Sequence, residues 1–167
     1  MTKVFRIKQK MWSLGGKFYI KDIENNAHYE VRGSFLEIPK RYTILDMNGN
    51  MVSHITKRLW SFLPKFDVEL SDGRQFIIIK EWTLFKPKFR IENLGMVVKG
   101  DFWSMNFSLY LQGQLVATIS EEWFKLTSTY NVKVFDENYS DLVISLVIAI
   151  DRVKEEMAAA SSASSNR

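Results

Sequence analysis

The chain has 167 residues, of which 46% are hydrophobic and 14% aromatic, and its formal net charge is +4. This length and apolar content suffice to bury one substantial core, and they predict a single domain over residues 1–157. The absence of cysteine excludes disulfides, zinc sites built on thiolates and cysteine nucleophiles.

The N-terminal ten residues, MTKVFRIKQK, alternate charged and apolar side chains. They lack the continuous apolar stretch of a secretory signal. The sequence therefore predicts a cytoplasmic protein, with peripheral attachment as the form that any membrane association would take.

A repeated unit follows. Its three clearest copies are WSLGGKFYIKD at 12–22, WSFLPKFDVEL at 60–70 and WTLFKPKFRIEN at 82–93. Each copy has an aromatic residue, a few turn residues, a lysine, and then an aromatic residue that opens an alternating apolar run. The strand-opening aromatic residues, separated by 24, 24, 23, 18 and 23 positions, are Phe18, Tyr42, Phe66, Phe89, Phe107 and Tyr130. One period matches a pair of strands with its turns, so six units predict about twelve strands.

The strands are predicted to be antiparallel, with one face buried. In residues 66–70, for example, apolar side chains alternate with Asp67 and Glu69. Asn48-Gly49 and Asp72-Gly73 are typical of tight type I′ hairpin turns, and Gln112-Gly113 is a weaker example of the same signal.

The last predicted element is a helix over residues 141–156, capped by Ser140 or Asp141 and apolar on nearly every side. Its apolar stretch, residues 142–150, would cover only about 14 Å against about 30 Å of bilayer hydrocarbon, so no transmembrane segment is predicted. The helix must then be buried in protein. We expect a mainly β fold, a closed antiparallel barrel of about twelve strands around this central helix. The alternative is a helix lying across the mouth of a β-sandwich. Residues 158–167 are predicted to be a disordered tail or a non-native remnant.

Three further segments complete a family resemblance. They are DMNGN at 46–50, FKPKFRIENLGMVVKGDFW at 85–103 and LVISLVIAIDRV at 142–153. With the repeat, they make residues 4–156 resemble the LURP-one-related family of the tubby C-terminal-like superfamily. The resemblance implies a twelve-stranded barrel around a central apolar helix. Its better-known relatives are tubby domains, which bind phosphoinositides, and phospholipid scramblases.

Scrambling is not supported by the residues. There is no cysteine to acylate, and the run Asp136, Asn138, Ser140 continues with Asp141 where a calcium loop requires glycine and with Val147 where it requires glutamate. No individual residue of the tubby lipid site can be carried over.

Charge is divided unevenly along the chain. Residues 1–100 hold 18 Lys and Arg against 10 Asp and Glu, whereas the remainder holds 5 against 9. The candidate residues for binding an anionic ligand or membrane lie just before the strand-opening aromatic residues, and they are Lys17, Lys40, Arg41, Lys65, Lys86 and Lys88. The candidate interfacial aromatic residues in the same loops are Trp12, Trp60 and Trp82. If the hairpins run up and down, these residues gather at one end of the barrel. The alternative interpretation is that the lysines are only solvated and that the tryptophans close the barrel end.

The sequence thus predicts a non-enzymatic binding or tethering protein, whose favoured partner is an anionic lipid headgroup or a phosphorylated ligand. The alternative is a soluble scaffold or regulatory protein that binds another protein. Nucleic acid is a weaker third partner, because period two places most aromatic rings inside and no recognition motif is present. No catalytic residue, cofactor or metal site is predicted, since His28 and His54 lack partner spacing and the consecutive Glu121 and Glu122 would face opposite sides of a strand.

Overall fold

The computed structural model describes residues 1–8, 16–34, 38–60, 62, 65–81, 88–122 and 129–164. Within these residues the chain forms twelve strands, a short 3-10 turn at Glu137–Tyr139 and one α-helix. The strands are β1 Lys3–Lys8, β2 Lys17–Asp22, β3 Ala27–Gly33, β4 Arg41–Asp46, β5 Met51–Lys57, β6 Lys65–Leu70, β7 Gln75–Glu81, β8 Lys88–Glu92, β9 Met96–Asp101, β10 Asn106–Leu111, β11 Gln114–Glu122 and β12 Thr129–Val134, and the helix is α1 Ser140–Ser164.

The strands form one antiparallel sheet that curls into a nearly closed barrel. Its order is β8-β7-β6-β5-β4-β3-β2-β1-β12-β11-β10-β9, so β1, the first strand, pairs with β12, the last one described. The remaining gap lies between β8 and β9. A turn with positive φ at Asn93, Leu94 and Gly95 connects these strands, but no ladder joins them within the described part of the chain. We call this gap the seam.

The six strand-opening aromatic residues occupy the second position of every even-numbered strand. Phe18, Tyr42, Phe66, Phe107 and Tyr130 are all buried. Alternation at period two then directs every second residue of each strand inward. The repeat in the sequence is therefore the repeat of the barrel wall.

Helix α1 fills the barrel, as predicted. Residues 142–150 are fully buried and share one hydrophobic core with the inward faces of the strands. Each large aliphatic side chain enclosed in this way contributes about 1.5–3 kcal/mol. A helix on the mouth of a sandwich would leave one face exposed, so this alternative was wrong.

The helix is longer than the sequence predicted. It begins at Ser140 and continues to Ser164, so residues 158–164 are helical where disorder was expected. The side chains of residues 158–162 are exposed, and burial therefore does not explain the extension. Alanine has the highest intrinsic helix propensity, which explains how an exposed alanine-rich segment can extend a helix that is already nucleated.

Two hairpin turns also differ from prediction. Type I′ requires positive φ at both central residues, but neither Asn48 nor Asp72 has it; only the glycine that follows each does. The Gly49 amide donates to the Asp46 carbonyl at 3.1 Å, and the Asp46 side chain accepts the Asn48 amide at 2.9 Å. This side-chain bond favours a type I turn. Gln112-Gly113, the weaker signal, has positive φ at both positions.

Candidate functional site

The up-and-down order brings the start of every even-numbered strand to the same end of the barrel. Lys17, Arg41, Lys65 and Lys88 are the first residues of β2, β4, β6 and β8. We call this end of the molecule the basic end. The side chain of Lys88 is not described, and the candidates Lys86, Trp12 and Trp82 lie outside the described residues.

The densest group of cations lies where β4, β5 and β6 meet the basic end. The Lys57 amide donates to the Lys40 carbonyl at 3.2 Å, and the Arg58 amide donates to the Lys65 carbonyl at 2.9 Å. With Arg41, these bonds place five basic residues on three neighbouring strands. Repulsion between them is reduced by carboxylates of the protein, by a bound anion, or by water and mobile ions.

The protein supplies only part of that counter-charge. Arg58 forms two hydrogen bonds to Asp67, at 2.6 and 2.7 Å, and Lys57 pairs with Glu156 of α1. Within the described part of the chain, Lys40, Arg41 and Lys65 form no ion pair with a carboxylate. These three cations are available to an external anion.

Lys17 differs from the other candidates. Its ammonium lies 2.9 Å from Glu30, and this carboxylate raises the pKa of Lys17. Arg32 binds the same carboxylate, and the two cations together hold the pKa of Glu30 below its usual value. Lys17 is therefore equivalent to Lys65 in the sequence repeat, but it is already paired with a carboxylate, which it shares with Arg32.

Apolar side chains project from the loops beside these cations. Trp60 is 100% exposed and Phe62 is 97% exposed in the β5–β6 connection, and Ile38 is 83% exposed in the β3–β4 connection. Trp60 therefore does not close the barrel end, which was the alternative interpretation of this residue. Exposed rings of this size, close together in the chain, are typical of a surface that contacts a membrane or a partner.

A cavity of about 450 Å³ opens at the same end, between α1 and strands β5, β6 and β7. Lys57 and Lys80 contribute to its lining, together with Phe66, Val153 and Met157. Sequence reasoning missed both lysines because they lie near the ends of odd-numbered strands, whereas the repeat draws attention to residues that begin even-numbered ones. Lys57 and Lys80 each lie two residues after a fully buried isoleucine, Ile55 and Ile78. The alternation of side chains along a strand could therefore have placed both lysines on the inward face.

Charged side chains near the end of the buried part of α1 anchor the helix to the wall. Asp151 and Arg152 are both buried and pair with each other, and Arg152 also binds Glu155. The Tyr130 hydroxyl donates to Asp151 at 3.1 Å, and burial raises the pKa of Tyr130. The Lys154 ammonium lies 5.7 Å from the centre of the Tyr130 ring. Burial lowers the pKa of Lys154. Buried charges are tolerated here because they are paired.

The rest of the surface is electrostatically different. Asp101, Glu121 and Glu122 lie at the basic end but on the β9–β11 side, so the cations form a sector rather than a full ring. The turns at the opposite end carry Asp22, Glu24, Asp46, Asp72, Asp136 and Glu137. The molecule therefore has a positive sector at one end and carboxylates at the other.

The two histidines make structural contacts. His28 Nε2 lies 2.9 Å from Asp22, and His54 Nδ1 lies 3.0 Å from the Thr43 hydroxyl. Among the described residues, no group of three or more His, Asp or Glu is placed to hold a metal ion. Within the same residues, no helix combines the length and the hydropathy needed to cross a bilayer.

Comparison with known proteins identifies relatives along nearly the whole chain. The family model described as LURP-one-related matches residues 3–151. The chain is 28% identical over 150 residues to "Uncharacterized protein YxjI" of Bacillus subtilis (strain 168), which covers 90% of this chain and 91% of that protein. An X-ray structure of a protein from Arabidopsis thaliana superposes with a TM-score of 0.57 at 17% identity, over 90% of each chain.

Proposed function

The chain belongs to the LURP-one-related family. We propose that its barrel is a non-enzymatic scaffold whose basic end docks on an anionic membrane surface. The observation that carries the proposal is the pair of fully exposed rings, Trp60 and Phe62, between Arg58 and Lys65. Aromatic rings that enter the headgroup region beside cations are the usual means of peripheral attachment.

The magnitudes suit a reversible interaction. Each cation near an anionic surface contributes about 1 kcal/mol, so Lys40, Arg41 and Lys65 would supply about 3 kcal/mol at moderate salt. Burying one exposed ring contributes about 1.5–3 kcal/mol. Three cations and two rings together would contribute about 6–9 kcal/mol, which is comparable to the lower part of the roughly 4–15 kcal/mol that association costs, as expected for a reversible interaction.

The charge distribution would also orient the molecule. An anionic surface attracts the sector that begins β4 and β6 and repels the carboxylates in the turns at the opposite end. The barrel would then stand with its basic end on the membrane, as a peripheral protein on the cytoplasmic side.

Vesicle sedimentation tests the proposal. The wild-type protein should pellet with vesicles that contain anionic lipid, remain in solution with purely zwitterionic vesicles, and be released by salt. Arg41→Glu with Lys65→Glu should abolish pelleting. The matched control is Lys21→Glu with Lys133→Glu, which makes the same change in net charge on residues away from the basic end, and this variant should pellet like the wild type.

The rings are tested separately. Trp60→Ser with Phe62→Ser leaves the net charge unchanged and should still weaken pelleting substantially. Equal pelleting of the Arg41→Glu, Lys65→Glu variant and its control would contradict the proposal.

The seam supports a second candidate, a scaffold that binds another protein. Ile91, Val98 and Phe102 lie only partly buried there and line a cavity of about 270 Å³ between two strand edges that no ladder joins in the described chain. An unpaired edge can accept an extended segment of a partner. Recovery of one stoichiometric partner, without any affinity for vesicles, would favour this candidate over membrane docking.

A further inference from the structure

The cavity at the basic end combines cations with an apolar floor. It measures about 450 Å³, within the range of sites for small ligands. Its lining residues are Lys57, Phe66, Lys80, Val153, Glu156, Met157, Ala160 and Ser161. Strands β5 to β7 thus provide one wall and the final turns of α1 provide the other.

The two lysines in this cavity belong to the inward face of the barrel. Lys57 lies directly across from the buried Phe66, and Lys80 has the same parity as Ile78, which pairs with Phe66 on the other side. A lysine on the outer wall of a barrel is ordinarily solvated, whereas an inward lysine places its charge over apolar surface. Both side chains remain partly exposed, so each ammonium can reach an anion that binds at the opening of the cavity.

Only one of these two charges is matched by the protein. Lys57 pairs with Glu156, while Lys80 forms no ion pair within the described residues. The cavity therefore carries one excess positive charge. It suits a ligand with one anionic group, whose charge Lys80 would match.

The remaining lining is apolar. Phe66 and Val153 are almost fully buried and form the floor, and the half-buried Met157 provides an adaptable wall. Ala160 lies at the exposed margin, where α1 extends beyond the core. The surface beside Lys80 is thus shaped for a hydrocarbon chain rather than for a sugar or a base.

We propose that this cavity binds a single-chain amphiphile with an anionic headgroup, a carboxylate or a phosphate, at Lys80 and with its chain over Phe66, Val153 and Met157. The inference rests on the proposed function only in taking the basic end as the ligand-binding end, and it requires no membrane. An alcohol of the same length would leave Lys80 unmatched, and a bare anion would leave the apolar floor uncovered.

Calorimetry in the absence of vesicles tests the proposal with four probes. Dodecanoate and dodecyl phosphate, both kept below their micelle-forming concentrations, should bind with a stoichiometry of one. Dodecanol lacks the anionic headgroup, and inorganic phosphate lacks the hydrocarbon chain. Each should bind at least about tenfold more weakly than the amphiphiles, which is the loss expected for one charged hydrogen bond or its equivalent. Inorganic phosphate binding as tightly as dodecyl phosphate would reduce the cavity to an ion site and overturn the proposal.

Two pairs of variants assign binding to the cavity. Lys80→Met keeps the apolar stem and removes the charge, and it should weaken dodecanoate at least about tenfold, whereas Lys133→Met on the outer wall should not. Ala160→Trp places a large ring at the cavity margin without disturbing the core and should block the chain. Its control is Ala159→Trp, an exposed neighbour outside the lining. Affinity unchanged in both Lys80→Met and Ala160→Trp would overturn the proposal.

The two proposals fail separately. If dodecanoate binds at Lys80 but vesicles do not pellet the protein, membrane docking is wrong and the cavity assignment stands. If vesicles pellet the protein while neither amphiphile binds, the cavity assignment is wrong and membrane docking stands. Ala160→Trp should leave vesicle pelleting unchanged, because the exposed rings and outward cations remain.

Discussion

Replacing Ser145 by alanine tests the polar contact between α1 and the barrel wall. Ser145 is the one polar residue within the apolar stretch 142–150, and both it and Ser53 of β5 are fully buried. The Ser145 hydroxyl oxygen lies 2.6 Å from the Ser53 hydroxyl oxygen and 2.6 Å from the Asp141 carbonyl oxygen. A carbonyl cannot donate, so Ser145 donates to Asp141 and Ser53 donates to Ser145.

This arrangement makes the two serines energetically unequal. Ser145→Ala leaves the buried Ser53 hydroxyl without an acceptor, which costs about 1–3 kcal/mol. The higher helix propensity of alanine recovers about 0.5 kcal/mol, so the net loss should be about 1–2 kcal/mol. Ser53→Ala removes a donor while Ser145 keeps its bond to Asp141, and it should cost less than about 1 kcal/mol. The double variant should be more stable than Ser145→Ala alone.

Urea unfolding followed by circular dichroism measures all three variants, provided that the denaturant slope stays constant. In a chain of this size, a loss of about 1–2 kcal/mol lowers Tm by roughly 2–8 °C. If Ser53→Ala cost more than Ser145→Ala, or if the two losses were additive, the assigned direction of the hydrogen bonds would be refuted.

Two further predictions concern the hairpins and the wall. The hydrogen bond from His28 lowers the pKa of Asp22 from 3.8 to about 2. The ionised Asp22 therefore stabilises the fold above about pH 4, and this stabilisation is lost as the pH falls toward 2. Asp22→Asn should lower Tm at neutral pH, and the difference from wild type should shrink in acid. At Gly100, where φ is +122°, a Cβ would lie 2.6 Å from the carbonyl oxygen of Asn106, so Gly100→Ala should cost more than about 2 kcal/mol by urea unfolding. The matched control is Gly73→Ala, where φ is +87° with no atom within 4 Å, and a loss there of equal size would show that the close contact is not the cause.

Much of the wall could be predicted because each strand repeats one local pattern. Phe18, Tyr42 and Phe66 recur at nearly constant spacing, and each begins a run that alternates at period two. These signals depend only on neighbours in the chain. The buried helix could also be predicted from the sequence, because an apolar segment too short to span a membrane must be enclosed by protein.

Features that depend on contacts between residues distant in the sequence could not be predicted. Lys17 and Lys65 occupy the same place in the repeat, and only the fold brings Glu30 to the first of them. The unpaired edges of β8 and β9 also could not be foreseen, since consecutive strands joined by a short turn ordinarily pair. The position of Lys80, two residues after Ile78, placed both on the same face of the strand. The sequence alone did not show that this face lines a cavity.

The pairing of β1 with β12 determines when this protein can fold. Residues 3–8 pair with β2 over only two residues, and their longer ladder requires residues 129–134, which the helix that fills the lumen follows directly. During synthesis, the apolar faces of β2 to β11 therefore have neither a closed wall nor an interior to pack against until β12 and α1 have been made. Contacts this distant in sequence slow folding and prolong the exposure of apolar strands. The nascent chain should consequently be a chaperone substrate until β12 and α1 have left the ribosome.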